Sequence, residues 1–333
     1  MIRVAVDALG GDRAPEEIVA GAVAAASPEI EPILFGPPDL ETGGVRLVEA
    51  AHAIEMDESP VDAVRTKLDS SLVRAVQAVA DGDADAVVSA GNTGAMLAAS
   101  LLQLRRLPGV LRPAIGVVIP ARNGPSVLID AGANADARAE QLVQFGHMGA
   151  VFAEEILGAR EPTVRLLSIG EENEKGNQLT LEAHELLRAS SLRFAGNTES
   201  RTLLEGDADV VVTDGFTGNV ALKALEGTIH SLLESIRDEI GSSLRGRAGG
   251  LLIRPAARRV RERLDPETYG GAYLLGLRGL VVIAHGSSSR VAIANAIRLA
   301  ARGVEHRVVQ RLEERVPNRV VASARSTTPT ADK

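Results

Sequence analysis

The chain contains no cysteine and no tryptophan, and aromatic residues make up only 2% of its 333 residues. Without cysteine, disulfide bonds, thiolate metal sites and a cysteine nucleophile are excluded. So few aromatic side chains do not supply the stacking surfaces that bind single-stranded nucleic acid, and the net charge of −8 disfavours phosphate-backbone binding. We therefore expect no nucleic acid partner.

Long apolar runs are also missing. No stretch approaches the roughly 20 apolar residues that span a bilayer. The first residues, MIRVAVDALGGD, lead directly into a strand pattern and carry no signal-peptide features. We therefore predict a cytoplasmic protein.

Three common catalytic motifs are absent as well. The sequence has no G-x-x-x-x-G-K-[ST] phosphate loop, no G-x-G-x-x-G and no G-x-S-x-G. These absences disfavour nucleotide hydrolysis, classical dinucleotide binding and serine hydrolase chemistry. We see no spaced ligand set for a metal, and we expect neither a metal nor another cofactor.

What the chain does have is a repeated transition from an apolar strand pattern into a loop rich in Gly, Asn, Asp and Ser. In parallel sheets such loops share one edge, where ligand crevices form, and small residues let backbone N–H groups approach an anion. We therefore predict a mostly parallel α/β protein with a phosphate-binding crevice lined by six segments: 4–12, 86–95, 127–134, 166–177, 211–220 and 281–289.

Helical patterns alternate with these strands. Ser70 is positioned to cap a helix that runs through Ala80, and Asn92 or Thr93 to cap one through Leu104. Residues 138–157 form a long amphipathic helix. With no long linker in the chain, we predict one α/β domain over 1–322 and a polar, disordered tail over 323–333.

Residues 217–265 break this alternation and predict a helical hairpin, about 221–265. The first arm has apolar residues at helical spacing, the sequence GSSLRGRAGG predicts a turn, and Pro255 is expected to open the second arm. The segment 245–263 holds seven arginines against one glutamate, and an apolar triplet is expected at the bend. The predicted partner-binding and membrane-binding residues are Leu251, Leu252, Ile253, Arg254, Arg258, Arg259 and Arg261.

Two loops combine glycine with neutral hydrogen-bond donors, SAGNTGA (89–95) and TDGFTGN (213–219). Each suits a phosphate, or is an ordinary capped strand–helix junction. In the second loop we predict that Thr217 caps the helix, and the alternative is that Asp214 and Thr217 form a capping pair. Asn219 and Lys223 follow on the same helix, where Lys223 is either functional or a surface lysine.

Lys175 and His285 are the other candidates for chemistry. Only four of the 36 lysine and arginine residues are lysines. In a chain that uses arginine so strongly, the three internal lysines are candidates for positions that require an ammonium group and not a guanidinium group. Lys175 lies in an acidic loop, where an ion pair with Glu172 or Glu174 is the alternative. His285 precedes a Gly/Ser loop and is either an acid or hydrogen-bond donor, or a residue that orients neighbouring loops.

The sequence as a whole resembles the bacterial phosphate acyltransferase family of phospholipid synthesis, the PlsX family. The resemblance runs from residue 1 to about 303. It rests on DALGGD (7–12), AVRTKLDSSLV (63–73), VSAGNTGA (88–95), LIDAGAN (128–134), QLVQFGHMGAVFAEEILG (141–158), SIGEENEKGN (168–177), VVVTDGFTGNVALKALEG (210–227), YGGAYLLGL (269–277) and IAHGSS (283–288).

This resemblance implies a three-layer α/β/α sandwich like those of isopropylmalate dehydrogenase and phosphotransacetylase, and a homodimer. It implies transfer of a long-chain fatty acyl group from acyl carrier protein to inorganic phosphate. The acyl-phosphate product then serves a glycerol-3-phosphate acyltransferase. The acidic carrier protein or an anionic membrane surface would meet the basic hairpin, which predicts peripheral membrane association.

For this reaction we predict Lys175, His285, Asn219 and Lys223 as catalytic residues. Lys175 would neutralise charge, and His285 or, alternatively, Lys223 would protonate the leaving thiolate. The predicted substrate-binding residues are Asp7, Ser89, Gly91, Asn92, Thr93, Gly94, Asp130, Asn134, Asn177, Asp214, Thr217 and Gly218. Three other functions remain open: a short-chain phosphotransacetylase that uses acyl-CoA, a non-catalytic membrane-associated scaffold that binds acyl carrier protein, and a dehydrogenase, for which no adenine-recognition pattern is found.

Overall fold

The computed structural model describes residues 1–264 and 266–318. The tail predicted for 323–333 lies outside the described residues. The described part is organised around an 11-stranded sheet with the order β3-β2-β1-β4-β11-β10-β5-β6-β9-β7-β8. Its strands are Ile2–Asp7 (β1), Ile30–Gly36 (β2), Arg46–Glu49 (β3), Ala86–Ser89 (β4), Ala114–Ile119 (β5), Ser126–Ile129 (β6), Thr163–Leu167 (β7), Arg193–Thr198 (β8), Val210–Val212 (β9), Ala272–Leu275 (β10) and Leu280–Ile283 (β11).

The sheet is mostly parallel, as predicted, because seven of its ten neighbouring strand pairs are parallel. The three antiparallel pairs lie together in the middle, β11 with β10, β10 with β5 and β5 with β6. Across them the direction reverses, so that β6, β9, β7 and β8 run opposite to β1, β4 and β11.

This reversal corrects the prediction that all six loops share one edge. The loops after β1, β4 and β11 lie at one edge of the sheet, and the loops after β6, β9 and β7 lie at the opposite edge. The reason is local: β5 and β6 form an antiparallel pair joined by residues 120–125. A strand-to-loop pattern carries no information about strand direction.

Helices cover both faces of the sheet. They are Glu16–Ala25 (α1), Pro60–Thr66 (α2), Ser71–Ala80 (α3), Thr93–Gln103 (α4), Ala139–Leu157 (α5), Gln178–Arg188 (α6), Gly215–Gly241 (α7), Leu244–Leu264 (α8), Arg290–Glu305 (α9) and Val308–Arg315 (α10), with short 3-10 turns at Ser200–Thr202 and Pro266–Tyr269.

The two faces are separated by the alternation of side chains along each strand. Val4 and Val6 point into the cluster with α1, α5, α6, α9 and α10, whereas Ala5 points into the cluster with α2, α3 and α4. Leu128 and Val211 point to the second face as well, where the beginning of α7 packs on them. The fold is therefore a three-layer α/β/α sandwich.

Local sequence signals explain several of these helices. The side chain of Ser70 accepts a hydrogen bond from Val73 N, and that of Asn92 accepts one from Ala95 N at 3.0 Å, which confirms both predicted caps. The long helix predicted over 138–157 is also confirmed. Its apolar face is buried: Leu142, Phe145, Met148 and Phe152 are each at most 1% exposed.

The hairpin region differs from the prediction in two respects. The turn is confined to 242–243, and α8 begins at Leu244, so that Pro255 lies inside the helix and does not open it. The triplet Leu251–Ile253 therefore lies within α8 and not at the bend. Its side chains are 50–84% exposed, and α8 buries none of its residues. Within the described residues, no helix is both long and apolar enough to cross a membrane.

Candidate functional site

The loops after β1 and β4 are joined by the buried carboxylate of Asp7. It accepts hydrogen bonds from the hydroxyls of Ser71 at 2.5 Å and Ser89 at 2.6 Å, and Ser89 Oγ accepts one from Gly91 N at 3.0 Å. Burial raises the pKa of Asp7, and these donors oppose the rise. At 2% exposure, Asp7 supports the loop from inside the protein.

Asn92 is also engaged by the protein itself. Its side chain caps α4, and its Nδ2 donates to Met56 O at 3.1 Å, with longer contacts to Glu55 O and Glu58 O. The next two residues, Thr93 and Gly94, carry the first N–H groups of α4, which have no acceptor inside the helix. Their backbone, together with the exposed Thr93 side chain, is the part of this loop that is open to a ligand.

Lys67 supports this loop from outside. Its ammonium lies 2.5 Å from Glu58 Oε1 and 3.1 Å from Ala53 O, and it lowers the pKa of Glu58 through this hydrogen bond. Lys67 therefore holds the segment against which Asn92 packs. This role explains one of the three internal lysines without any contact to substrate.

His285 lies at the same edge, at the end of β11. Asp12 N donates to the neighbouring Gly286 O at 2.8 Å, which joins the β1 and β11 loops. Ser287 N donates to His285 Nδ1 at 3.2 Å, and Ser287 Oγ is 2.9 Å from the same atom. Since Nδ1 accepts from an N–H, the neutral ring carries its proton on Nε2. The ring is exposed.

The opposite edge is organised by a second buried aspartate, Asp130. Its carboxylate accepts the backbone N–H groups of Ile115, Gly132, Ala133 and Asn134 at 2.7–3.1 Å. Burial raises the pKa of Asp130, and these backbone donors oppose the rise. Asp130 is buried, and it shapes the β6 loop from inside the protein as Asp7 does for the other loops.

Asn134 extends this network. Its Nδ2 donates to Asp130 Oδ2 and to Pro113 O, both at 2.8 Å, and its carbonyl accepts from Gly215 N at 2.8 Å. Asn134 therefore joins the β6 loop to the first residue of α7.

The N-terminus of α7 corrects a second prediction. Asp214, and not Thr217, is the cap: Asp214 Oδ1 accepts from Thr217 N at 2.9 Å. Thr217 lies in the first turn with its side chain exposed. Gly218 packs directly on the backbone of Asp130, where a Cβ would come within 1.9 Å of the carbonyl oxygen. Asn219 is exposed and lies beside Gly132.

Lys175 lies in the exposed loop after β7. Since β7 is the parallel neighbour of β9, this loop lies at the same edge of the sheet as the beginning of α7. No carboxylate lies within ion-pair distance of its ammonium in the described ranges, so the predicted alternative of a pair with Glu172 or Glu174 is not found. Its carbonyl accepts from Ser168 Oγ at 2.9 Å. Asn177 caps α6 by accepting from Thr180 N at 2.9 Å.

Two residues that the sequence did not indicate hold this loop. Asn197 Nδ2 donates to Glu172 O at 2.8 Å, and Asn197 Oδ1 is 2.9 Å from Nδ1 of the buried His184. Asn197 follows Gly196 near the end of β8, in an AGNT sequence that also occurs at 90–93, and this signal could have identified it. His184 lies inside α6 and has no such signal.

Lys223 is paired. Its ammonium lies 2.8 Å from Glu226 Oε2, three residues further along α7. Lys223 is therefore in the environment expected of a surface lysine, which was the predicted alternative. As a proton donor it has less support than His285.

The predicted residues thus form two groups. The first holds Thr93, Gly94 and His285 as its accessible members, and the second holds Thr217, Asn219 and Lys175. The two groups lie at opposite edges, but α4 and the beginning of α7 cover the same face of the sheet: Leu222 packs against the apolar cluster that contains Met96. No hydrogen bond or ion pair within 1–264 and 266–318 connects the groups.

Solved structures share this architecture. A branched-chain phosphotransacylase from Enterococcus faecalis superposes with a TM-score of 0.59 at 19% identity, covering 92% of this chain and 100% of that one. The EutD phosphotransacetylase from Staphylococcus aureus gives a TM-score of 0.58 at 16% identity, covering 91% and 94%. At these identities the comparison defines the class of fold, that of the phosphotransacetylases.

The sequence comparisons define the family. The profile of the family described as "Fatty acid synthesis protein" matches residues 2–311. A protein of Heliobacterium modesticaldum named phosphate acyltransferase is 46% identical over 331 residues, 96% of this chain and 99% of its own length. One of Desulfitobacterium hafniense with the same name is 47% identical over 328 residues, 95% and 98%. The chain belongs to this phosphate acyltransferase family, and it is a transferase enzyme.

Proposed function

We propose that this enzyme transfers a long-chain fatty acyl group from acyl carrier protein to inorganic phosphate, and that its acyl-phosphate product feeds a glycerol-3-phosphate acyltransferase in phospholipid synthesis. The observation that carries this proposal is the near full-length match to phosphate acyltransferases at 46–47% identity. The accessible residues of both loop groups supply hydrogen-bond donors and a cation, which is what this chemistry needs.

In the reaction, a phosphate oxygen attacks the carbonyl carbon of the thioester and the carbon–sulfur bond breaks. The carbonyl oxygen carries the charge in between, and the thiolate leaves and takes up a proton. Phosphate is already anionic at neutral pH, so the enzyme needs no nucleophilic side chain. It needs to hold phosphate in line with the carbonyl carbon and to stabilise the oxyanion.

The phosphate and the carbonyl oxygen are bound, in this proposal, by the N-terminal turns of α4 and α7. The open contributors are the backbone of Thr93 and Gly94 and the polar side chains of Thr217 and Asn219. Lys175 neutralises the charge of phosphate or of the oxyanion. Asp7, Asp130, Asn92 and Asp214 act through the loops that they hold.

His285 protonates the leaving thiolate from Nε2. The exposed ring takes that proton up again from solvent. Lys223 is the alternative donor.

The catalytic roles predict large kinetic effects. Lys175→Ala and His285→Ala should each lower turnover about 10²- to 10³-fold, because each removes a group that stabilises charge in the transition state. Lys175→Arg should retain part of the activity. His230→Ala, an exposed histidine on α7, is the matched control and should behave as wild type. Near-normal turnover of both alanine variants, with intact folding by circular dichroism, would reject the mechanism.

The identity of the acyl donor is tested by comparing two thioester substrates. Long-chain acyl carrier protein should be used with a much higher kcat/KM than acetyl-CoA. The reverse order would identify a short-chain phosphotransacetylase instead.

The hairpin is proposed to bring the enzyme to an anionic membrane surface and to take part in a homodimer. Its basic residues, Arg254, Arg258, Arg259 and Arg261 among them, attract anionic lipid with about 1 kcal/mol per basic residue near the surface. They also steer the acidic carrier protein toward the enzyme. Leu251, Leu252 and Ile253 are exposed on the same helix and are placed to insert shallowly.

A triple variant tests this surface. Leu251→Asp, Leu252→Asp and Ile253→Asp together should abolish binding to vesicles that contain anionic lipid, while turnover in solution remains. The control triple, Val23→Asp, Leu68→Asp and Leu181→Asp, adds the same charge at exposed apolar positions elsewhere and should still bind. Unchanged vesicle binding by the hairpin variant would reject insertion at this site.

A further inference from the structure

A cavity of about 750 Å³ lies outside both loop groups, beside the carboxyl end of α4. One wall is formed by Leu101 and Arg106, a second by Leu111 and Arg112, and a third by residues 136–141 at the start of α5. Two stretches of the chain, 101–112 and 136–141, therefore border it.

The charge of this cavity is opposite to that of the whole chain. Arg106, Arg112 and Arg138 line it against one acidic residue, Asp136, in a protein whose net charge is −8. Within the described residues, none of these three guanidinium groups forms an ion pair. Arg106 instead donates to the carbonyls of Val110 and Leu111 and so shapes the rim. Arg112 and Arg138 are exposed.

The cavity is also partly apolar. Leu111 is 41% exposed, Leu101 is half-buried, and the methyl group of Ala137 faces the same space. A lining of leucine and alanine side chains ringed by guanidinium groups suits a ligand that is acidic and has an apolar face. A free phosphate ion would interact with the guanidinium groups but not with the apolar side chains.

The cavity adjoins the proposed site. Asn134 donates to Pro113 O, the residue after Arg112, and lies four residues before Arg138. The same Asn134 accepts the first N–H of α7. A protein bound over this cavity would stand next to the loops that are proposed to receive its acyl group.

We propose that this cavity is the docking site for an acidic, amphipathic helix of the protein that carries the acyl thioester. The proposal rests on the proposed function for the identity of that donor. The hairpin then provides long-range attraction, whereas Arg112 and Arg138 provide the specific contacts that fix the carrier beside the site.

The test compares two charge reversals of equal size. The double variant Arg112→Glu/Arg138→Glu should weaken binding of acyl carrier protein, followed by fluorescence anisotropy, at least about tenfold and should reduce its salt dependence, with the part due to the hairpin remaining. The control Arg74→Glu/Arg160→Glu carries the same change at exposed arginines elsewhere and should bind within about twofold of wild type. The milder pair Arg112→Gln/Arg138→Gln should show a smaller loss, which guards against misfolding of the first variant.

Steady-state kinetics supply the second readout. The KM for acyl carrier protein should rise at least about tenfold in the double variant, while the KM for phosphate and the turnover of a long-chain acyl-CoA stay unchanged. A parallel rise in the KM for phosphate would overturn the proposal and make the cavity an anion subsite of the reaction. Unchanged carrier binding, or a loss confined to Arg258→Glu/Arg259→Glu in the hairpin, would also overturn it.

The docking site and the proposed reaction can be tested independently. A wild-type enzyme that binds the carrier through Arg112 and Arg138 but forms no acyl-phosphate would support the docking site and contradict the proposed function.

Discussion

Asp7 and Asp130 are the residues on which the two loop groups depend. Each follows or ends a strand and is buried. Asp7 accepts from Ser71 and Ser89 of neighbouring segments, and Asp130 accepts mainly from the backbone of its own loop. A strand-end aspartate in a Gly-rich loop has the same sequence signature whether it touches a ligand or holds the loop. The sequence therefore identified both residues as candidates but could not distinguish between these roles, because the distinction depends on burial in the folded protein.

Gly10 gives a direct test of the Asp7 network. A Cβ at position 10 would come within 2.2 Å of Asp7 Oδ2 and 2.9 Å of Gly91 N, so Gly10→Ala must displace the carboxylate. We expect a loss of about 1–3 kcal/mol in the free energy of unfolding. Gly227→Ala, where a Cβ meets nothing within 4 Å in the middle of α7, is the control. It should be neutral or stabilising by up to about 1 kcal/mol. Urea denaturation measures both, and equal stability of the two variants would contradict the packing described for Asp7.

At the scale of elements, the caps, the buried helix faces and the existence of the hairpin were predictable, and the strand direction and the position of the hairpin turn were not. Ser70, Asn92 and the apolar face of α5 act through contacts close in sequence. The reversal between β5 and β6 and the start of α8 also involve residues close in sequence, the connection 120–125 and the hydrogen bond from Gly246 N to Ser243 Oγ at 3.0 Å. The strand-to-loop and Gly-rich patterns do not reveal either of them. In α8 the helix continues through Gly249, Gly250 and Pro255, although glycine and proline each disfavour a helix interior.

The pairing of α1 with α9 makes stability depend on pH. Arg290 donates from its backbone N and its guanidinium to Glu17, and this lowers the pKa of Glu17 from 4.5 to about 2. A carboxyl with a lowered pKa in the folded state stabilises the fold above its unfolded pKa and loses that contribution as the pH falls. The contribution should therefore be complete above about pH 4.5 and disappear as the pH approaches about 2.

Glu17→Gln isolates this contribution. The variant should be less stable than wild type at pH 7, and the difference should shrink between about pH 4.5 and about pH 2. Urea denaturation at several pH values measures it. Glu16→Gln, at an exposed neighbour, is the control. A difference for Glu17→Gln that stays constant across this range would show that the pair with Arg290 is not responsible.

At the scale of the whole molecule, the reversal of the sheet sets how the enzyme can work. It places Thr93 and His285 at one edge and Lys175 and Asn219 at the other, with α4 and the beginning of α7 on one face between them. The family resemblance, which spans nearly the whole chain, was the sequence feature that predicted fold and function together. The direction of the strands, and with it the division of the site, required the structure.

The central claim is that the acyl group passes to inorganic phosphate itself. The most direct measurement supplies purified enzyme with long-chain acyl carrier protein and ¹⁸O-labelled phosphate, and analyses the products by mass spectrometry. The account predicts acyl-phosphate that retains all the label, in amounts that depend on phosphate and on the enzyme. Release of free fatty acid without acyl-phosphate, or no product from a folded enzyme that binds the carrier, would contradict it.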